Sequence, residues 1–251
     1  MSGDERLISL VNELQVVGRV DVRAAAERLG TTEMTIRRDL DVLVQRGVAR
    51  RVRGGAVSLL ARGDEIPYWM RALESPEAKT RIGEAAAGLL SDGEAIAIDS
   101  GTTALSCARA LFERRLTVLT VSLRAADLLA DSPTINLILP GGEVRRDERT
   151  LVGPATVAGI AGLRLDAVII GACGLADATV TAYDLGDAAV KQALIDVGAR
   201  VIVAAESAKL DRTGMAVVCP AARVNVLVID AEAPAAALEP WRQAGVEILL
   251  A

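Results

Sequence analysis

The residues best placed to do chemistry form the run Asp99-Ser100-Gly101-Thr102-Thr103, which follows the apolar stretch Glu94 to Ile98 and opens an Ala- and Leu-containing one. A chain passing from strand to helix exposes the first backbone N–H groups of the helix, and the helix dipole adds positive potential at the same point. Gly101 lets the backbone come close to a bound anion, and the hydroxyls of Ser100, Thr102 and Thr103 can donate to it. Phosphate is the chemistry such a loop serves. Asp99 would repel a phosphate placed against it, so its fitting role is to accept from sugar hydroxyls. An ordinary strand-to-helix turn capped by Thr uses the same residue types. Gly141 and Gly142, after Pro140, offer a second place for close backbone approach, and a plain turn uses such a pair equally often. Of the 28 Lys plus Arg, only Lys79, Lys191 and Lys209 are lysines. A lysine kept in so arginine-rich a chain suits a site that needs a compact point charge for phosphate or carboxylate; a solvated surface position is the other reading. Lys191 stands four residues after Asp187, and Lys209 follows a strand-like run through Glu206-Ser207-Ala208.

A second constellation is basic. Thr32-Glu33-Met34-Thr35-Ile36-Arg37-Arg38-Asp39-Leu40 begins with a hydroxyl cap shortly after Gly30, and Ile36, Leu40 and Leu43 recur at helical spacing. That stripe packs inward, leaving Met34, Arg38, Asp41 and Gln45 outward, with Thr35 and Arg37 flanking it. Leu7, Leu10, Val11 and Leu14 predict an earlier helix, and Val22, Ala25, Ala26 and Leu29 a shorter one ending at Gly30. Three helices with a tight turn between the last two make a helix-turn-helix, whose last helix enters the major groove by its N-terminal turns. Thr32, Met34, Thr35, Arg37 and Arg38 are then the DNA-facing residues. Asp39 falls near the buried side and is read as structural, the partner of an arginine. Val48 to Val57 predicts two short strands joined at Gly54-Gly55, a wing, with Val48 and Val52 on the packed face and Arg51 and Arg53 on the other. Arg50, Arg51 and Arg53 are candidate phosphate contacts; a basic edge strand that discourages aggregation is the alternative.

The chain has 251 residues, 51% of them hydrophobic, enough for one or two domains with large cores. No apolar run approaches the roughly 18 residues of a membrane span, and Met1 to Arg6 lacks a signal-peptide profile, so a cytoplasmic protein is expected. Cys107, Cys173 and Cys219 stand apart in apolar surroundings, which predicts buried thiols rather than disulfides or a metal site. With no histidine in the chain, His-based triads and His-ligated metals are excluded. No cofactor is expected. The net charge of −5 is unevenly spread: residues 1 to 57 hold ten Arg against eight Asp plus Glu, +2, leaving 18 basic and 25 acidic residues, −7, for the rest. A basic head on an acidic body fits DNA contact by the head, and so small an excess points to placed arginines and several heads acting together.

The elements that must position these residues follow. Periodicity is lost over residues 58–75, with Gly63, Pro67, Tyr68 and Trp69, and a linker is expected there. Ser75-Pro76-Glu77 carries the N-cap, N1 proline and first-turn acid of a helix start, the helix running to about Leu90. Seven strand-like runs then alternate with helical ones: Glu94 to Ile98, Leu116 to Val121, Ile135 to Leu139, Ala167 to Gly171, Val201 to Ala205, Val224 to Ile229 and Val246 to Leu250. They are of the kind buried on both faces. The pattern predicts an α/β domain with a mostly parallel sheet over residues 76–251, preceded by a small winged helix-turn-helix domain over 1–57. Ligands of such sheets bind at the carboxyl ends of strands, where Asp99 to Thr103 lie.

Arg6, Leu10 and Leu14, then Thr32 to Leu40, then Arg51-Val52-Arg53-Gly54-Gly55-Ala56 resemble the signature of the DeoR family of bacterial transcription regulators. The second half resembles that family's C-terminal sensor domain in Asp99 to Thr103, Gly141-Gly142 and Leu151-Val152-Gly153-Pro154. Together they cover almost the whole chain. The resemblance implies a ribose-5-phosphate-isomerase-like sensor and a repressor of a sugar-catabolic operon, modulated by a phosphorylated sugar or similar small anion. Asp99, Ser100, Gly101, Thr102, Thr103, Gly141, Gly142, Asp187, Lys191 and Lys209 are its expected effector residues. Double-stranded operator DNA is the expected partner, held by a homodimer or homotetramer because one winged head makes few contacts. The chain departs from the family where Arg53 replaces a common His, Val121 an Asn, Asp187 a Glu, and Glu206-Ser207-Ala208-Lys209 an Asp-x-Ser-Lys. A non-enzymatic regulator is expected. The rival readings are an isomerase with an appended head, using Asp99, Asp187, Glu206 and Lys209 as acid/base groups, and a DNA binder with no effector.

Overall fold

Ser2 starts the first helix, α1 (Gly3–Val17), with a reciprocal cap: its hydroxyl accepts from the Glu5 N–H, and the Glu5 carboxylate accepts from the Ser2 N–H. The chain continues through β1 (Arg19–Asp21), α2 (Val22–Arg28), α3 (Glu33–Gln45), β2 (Ala49–Val52) and β3 (Gly55–Ser58). Asp21 caps α2 and Thr32 caps α3, each accepting from a backbone N–H three residues on. Leu10, Leu14, Ile36, Leu40 and Leu43 are fully buried, so the helical stripes meet in one core. The wing is an antiparallel three-stranded sheet in the order β1-β3-β2. Its β1 is not legible in the sequence, because three residues are too few for their alternation to register. The Gly-Gly pair has two separate jobs. Gly54 turns with φ 81°, whereas a Cβ on Gly55 would lie 1.9 Å from the Val20 carbonyl oxygen, so β1 can approach β3 only across a glycine.

One expectation for the wing is corrected. Val52 is 39% exposed rather than packed, while Ala49 is buried and Arg51 half-buried. Val48 is buried but precedes the strand, so the alternation starts at Ala49 and puts Arg51, not Val52, on the inner face.

The computed structural model describes residues 1–59 and 66–251. Part of the expected linker, 60–65 with Gly63, lies outside the described residues. Beyond it, Ile66 and Met70 are buried in the same core as Leu40, the short helix α4 spans Tyr68–Arg71, and the Arg46 guanidinium lies 3.9 Å from the Trp69 ring centre. The chain divides into two compact units, Met1–Glu74 and Ser75–Ala251.

The second unit opens with α5 (Pro76–Gly88). Ser75 precedes it as expected but forms no side-chain cap. Its φ of 42° is left-handed, and a hydroxyl cap needs the extended backbone that aims the oxygen at the first turn. Then come β4 (Ala95–Ile98), α6 (Thr102–Ala110), β5 (Thr117–Thr120), α7 (Leu123–Leu129), β6 (Asn136–Ile138), β7 (Glu143–Arg145), β8 (Thr150–Val152) and α8 (Pro154–Ala161). After these follow β9 (Ala167–Gly171), β10 (Thr179–Ala182), α9 (Leu185–Val197), β11 (Val201–Ala205), β12 (Ala216–Pro220), β13 (Val226–Ile229), α10 (Ala235–Gln243) and β14 (Glu247–Leu250). The seven apolar runs form one seven-stranded sheet in the order β14-β13-β11-β9-β4-β5-β6, and every pair is parallel. Alternate residues of β4 serve the two faces: Ile96 and Ile98 in one core, Ala97 in the other. Two short antiparallel pairs, β7–β8 and β10–β12, lie outside the large sheet and were not expected from the sequence. Cys107, Cys173 and Cys219 are buried. No described helix is long and apolar enough to cross a membrane.

The strand order fixes where a ligand can enter. The chain leaves β4 toward β5 and β6 on one side and resumes with β9, β11, β13 and β14 on the other. The crevice of such a sheet opens where the winding reverses, between the carboxyl ends of β4 and β9.

Candidate effector site and nucleic-acid interface

Asp99, the residue after β4, spans that reversal point. Its Oδ2 accepts from the Gly171 N–H at the end of β9, at 2.9 Å, and from Lys191 Nζ of α9. Asp187, one turn earlier on α9, lies 3.5 Å from the same Nζ. Burial works against the Lys191 charge, but Asp187 and Asp99 outweigh it and hold the ammonium above the ordinary lysine range. Asp99 Oδ1 is buried and has no hydrogen-bond partner among the described residues.

A second polar group lies beside β11. Glu206, the residue after that strand, accepts from the Thr103 hydroxyl at 2.7 Å and pairs with Lys79 of α5 at 3.1 Å. Burial pushes the Glu206 carboxyl up, but Lys79, Lys209 and the Thr103 hydroxyl pull it further down, to below the usual carboxylate range. The three lysines of the chain are 3%, 3% and 7% exposed, so none is a solvated surface lysine. Lys79 and Glu206 are the members that spacing alone did not select. Lys79 sits in an unremarkable helix, and its rarity was the one available signal.

A pH dependence follows. The folded pKa of Glu206 lies below its ordinary 4.5, so its ionised form contributes stability above that value and loses the contribution as pH falls through the folded one. Glu206→Gln is expected to flatten the fall of the melting temperature below about pH 5, where unfolded carboxylates begin to protonate. Parallel pH profiles for the two proteins would show that the pair adds nothing.

Lys79, Lys191 and Lys209 are matched in formal charge by Asp99, Asp187 and Glu206, so an anion held here draws chiefly on backbone donors. Those are present. Gly101, at φ 109°, leads into α6 with no side-chain cap, leaving the first-turn N–H groups unclaimed by a side chain. Ser100 and Thr102 are buried beside Asp99 in the chain, and Thr103 spends its hydroxyl on Glu206. Gly141 and Gly142 have φ 79° and 121°, and a Cβ on Gly142 would lie 1.9 Å from Thr156 Oγ1. The Thr156 hydroxyl donates to the Gly141 carbonyl at 2.8 Å; packing on α8 accounts for Gly142, and the positive φ of the turn accounts for Gly141. No described hydrogen bond or ion pair links them to Asp99 or Glu206. Val121 is buried in the core, and Ser122 after it caps α7.

In the first unit, Asp39 accepts from the Arg6 guanidinium at 2.8 Å, the structural role expected of it. Met34 and Arg38 are exposed on α3, and among the described residues Arg38, Arg50 and Arg53 have no ion-pair partner. Arg37 donates to Glu33 at 2.6 Å. Thr32 and Thr35 bond each other at 2.9 Å within the cap. Arg51 is the most engaged, donating to Asp41 through Nε and Nη2 at 2.9 and 2.6 Å and to the Arg37 carbonyl at 2.5 Å.

A winged three-helix unit with exposed arginines that lack ion-pair partners among the described residues, joined to a parallel α/β unit with a buried polar cluster at its reversal point, defines a DNA-binding transcription regulator. The chain belongs to the DeoR family. Residues 6–61 match the DeoR-like helix-turn-helix domain and residues 74–231 the DeoR C terminal sensor domain. It is 29% identical over 250 residues to the HTH-type transcriptional repressor GlcR of Bacillus subtilis, covering 100% of this chain and 97% of the relative. It is 28% identical to the glycerol-3-phosphate regulon repressor of Escherichia coli, covering 95% of each chain. With the protein of that same name from Haemophilus influenzae, identity is 31% over 83% of this chain and 80% of the relative. Among solved structures it is similar to ribose 5-phosphate isomerase A of Methanocaldococcus jannaschii, with a TM-score of 0.39, 17% identity and 52% of each chain covered.

Proposed function

We propose that this protein is a repressor of a sugar-catabolic operon whose operator affinity falls when a phosphorylated sugar or similar small anion binds at the β4–β9 reversal point. The observation that carries the reading is the buried Asp99–Lys191–Asp187 group beside the uncapped start of α6, in a chain whose other unit exposes Met34, Arg38, Arg50 and Arg53. Ser100, Gly101 and Thr102 supply donors for the phosphate, and Asp99 Oδ1 takes a hydroxyl. Met34, Thr35 and Arg38 meet base edges, with Arg50 and Arg53 on phosphates and Arg37 joining them once it leaves Glu33. The protein acts in the cytoplasm as a homodimer or homotetramer. Effector control is linkage: the ligand must prefer an arrangement in which the paired heads no longer match their half-sites.

Catalysis is disfavoured by the charge states. The Glu206 carboxyl is held below, and the Lys191 ammonium above, its ordinary range, the opposite of the shifts toward neutral pH that tune catalytic acids and bases. Calorimetric titration with a panel of sugar phosphates, followed by gel shifts, tests the proposal. At least one compound is expected to bind and to weaken operator affinity about 5- to 150-fold, the usual span of allosteric coupling. Absence of heat from every member, or turnover of ribose 5-phosphate that disappears in Asp99→Ala, would overturn it.

A further inference from the structure

We infer that Arg51 is a positioning residue, a brace that fixes the wing against the recognition helix, and that the wing's contact with DNA falls to Arg50 and Arg53. β2 is an edge strand, hydrogen-bonded to β3 alone, so the sheet holds it on one side only. On the other side, Arg51 reaches α3. Its guanidinium donates twice to Asp41 and once to the main-chain oxygen of Arg37, so it grips both a side chain and the helix backbone. Glu33, Arg37 and Asp41 lie at successive i, i+4 positions, and Glu33 holds Arg37 at 2.6 Å. The helix therefore presents the wing with a charged stripe whose last member is Arg51's partner. The forked geometry matters more than the charge, because Lys cannot donate to a carboxylate and a carbonyl in one fixed plane. Arg50 and Arg53 are exposed on the same wing without ion-pair partners among the described residues, and so remain available to phosphates.

The two roles predict opposite signs for one substitution. Asp41→Asn removes an acid from a DNA-facing surface, which by charge alone tightens binding. If Arg51 is a brace, Asp41→Asn instead loosens the wing and weakens binding. The measurement is fluorescence anisotropy of the full-length protein on a duplex enriched from a random library by the wild type, over a series of salt concentrations. Arg51→Lys and Asp41→Asn are each expected to weaken binding roughly two- to fivefold, the range of exposed ion-pair couplings, and the double variant no further. The slope of log affinity against log salt is expected to stay unchanged in Arg51→Lys and in Arg51→Ala. Tighter binding by Asp41→Asn, full affinity in Arg51→Lys, or a slope reduced by about 0.9 in Arg51→Ala, the loss of one phosphate contact, would each overturn the brace. Thermal melts of the variants keep folding separate from binding, since an exposed pair contributes little to stability.

Discussion

Lys191→Met is expected to destabilise the second unit by about 3 to 5 kcal/mol, the cost of removing one partner from a buried ion pair. Methionine fills nearly the same volume, so the loss reports charge rather than a cavity. Asp99 and Asp187 would be left facing each other in a site where Lys191 is only 3% exposed, and Asp99 Oδ1 already lacks a partner among the described residues. The carboxylates can escape by taking up protons, so the deficit should shrink as pH is lowered. Arg223→Met is the control. Its pair with Asp196 has similar chemistry, but the two side chains are 52% and 66% exposed, and about 1 kcal/mol or less is expected. Denaturant unfolding of the three proteins at neutral and acid pH checks both statements. A Lys191→Met loss no larger than the control's would mean that the site is open to water.

Arg38→Ala is expected to weaken operator binding about 5- to 150-fold, the 1 to 3 kcal/mol of a good base contact, while leaving non-specific binding nearly unchanged. Arg38 stands out from Arg37 and Arg51 because it has no ion-pair partner among the described residues. Arg37 is held by Glu33 and Arg51 by Asp41, and a guanidinium already paired must break that pair before meeting DNA. It also lies four residues after the exposed Met34, on the outward stripe opposite Ile36 and Leu40. Gel shifts with a selected operator and a scrambled duplex give both affinities. Equal loss on the two duplexes would assign Arg38 to phosphate rather than to a base.

The parts of the fold that were legible are those written in local patterns. All seven strands of the large sheet, and the helices α1, α2 and α3, follow from apolar spacing and cap residues, because burying one stripe or two faces leaves a regular trace. β1 and β10 escaped for the opposite reason: they are short and pair with strands more than thirty residues on, while β7 and β8, though a local hairpin, are three residues each and too short to leave a pattern. Val52 was misplaced because the alternation rule needs a starting phase, which the turn and Ala49 set in three dimensions. Ser75 has the right residue type for a cap and the wrong backbone for one.

The same division holds for function. Residue types and spacing by themselves determined that this chain carries a capped recognition helix with arginines, a glycine-turned wing and an anion-suited loop after an apolar strand, since each is a local chemical requirement. What only the tertiary structure decided is which charges are spent. It buried Lys79, Lys191 and Lys209 and joined Lys79 to Glu206 and Lys191 to Asp99 across the sheet. It turned Arg51 inward to Asp41 and left Arg38, Arg50 and Arg53 without ion-pair partners among the described residues. The reason is physical: an ionisable side chain's role depends on the desolvation and partners it meets after folding, and those come from residues up to 127 positions away, as between Lys79 and Glu206 (206 − 79).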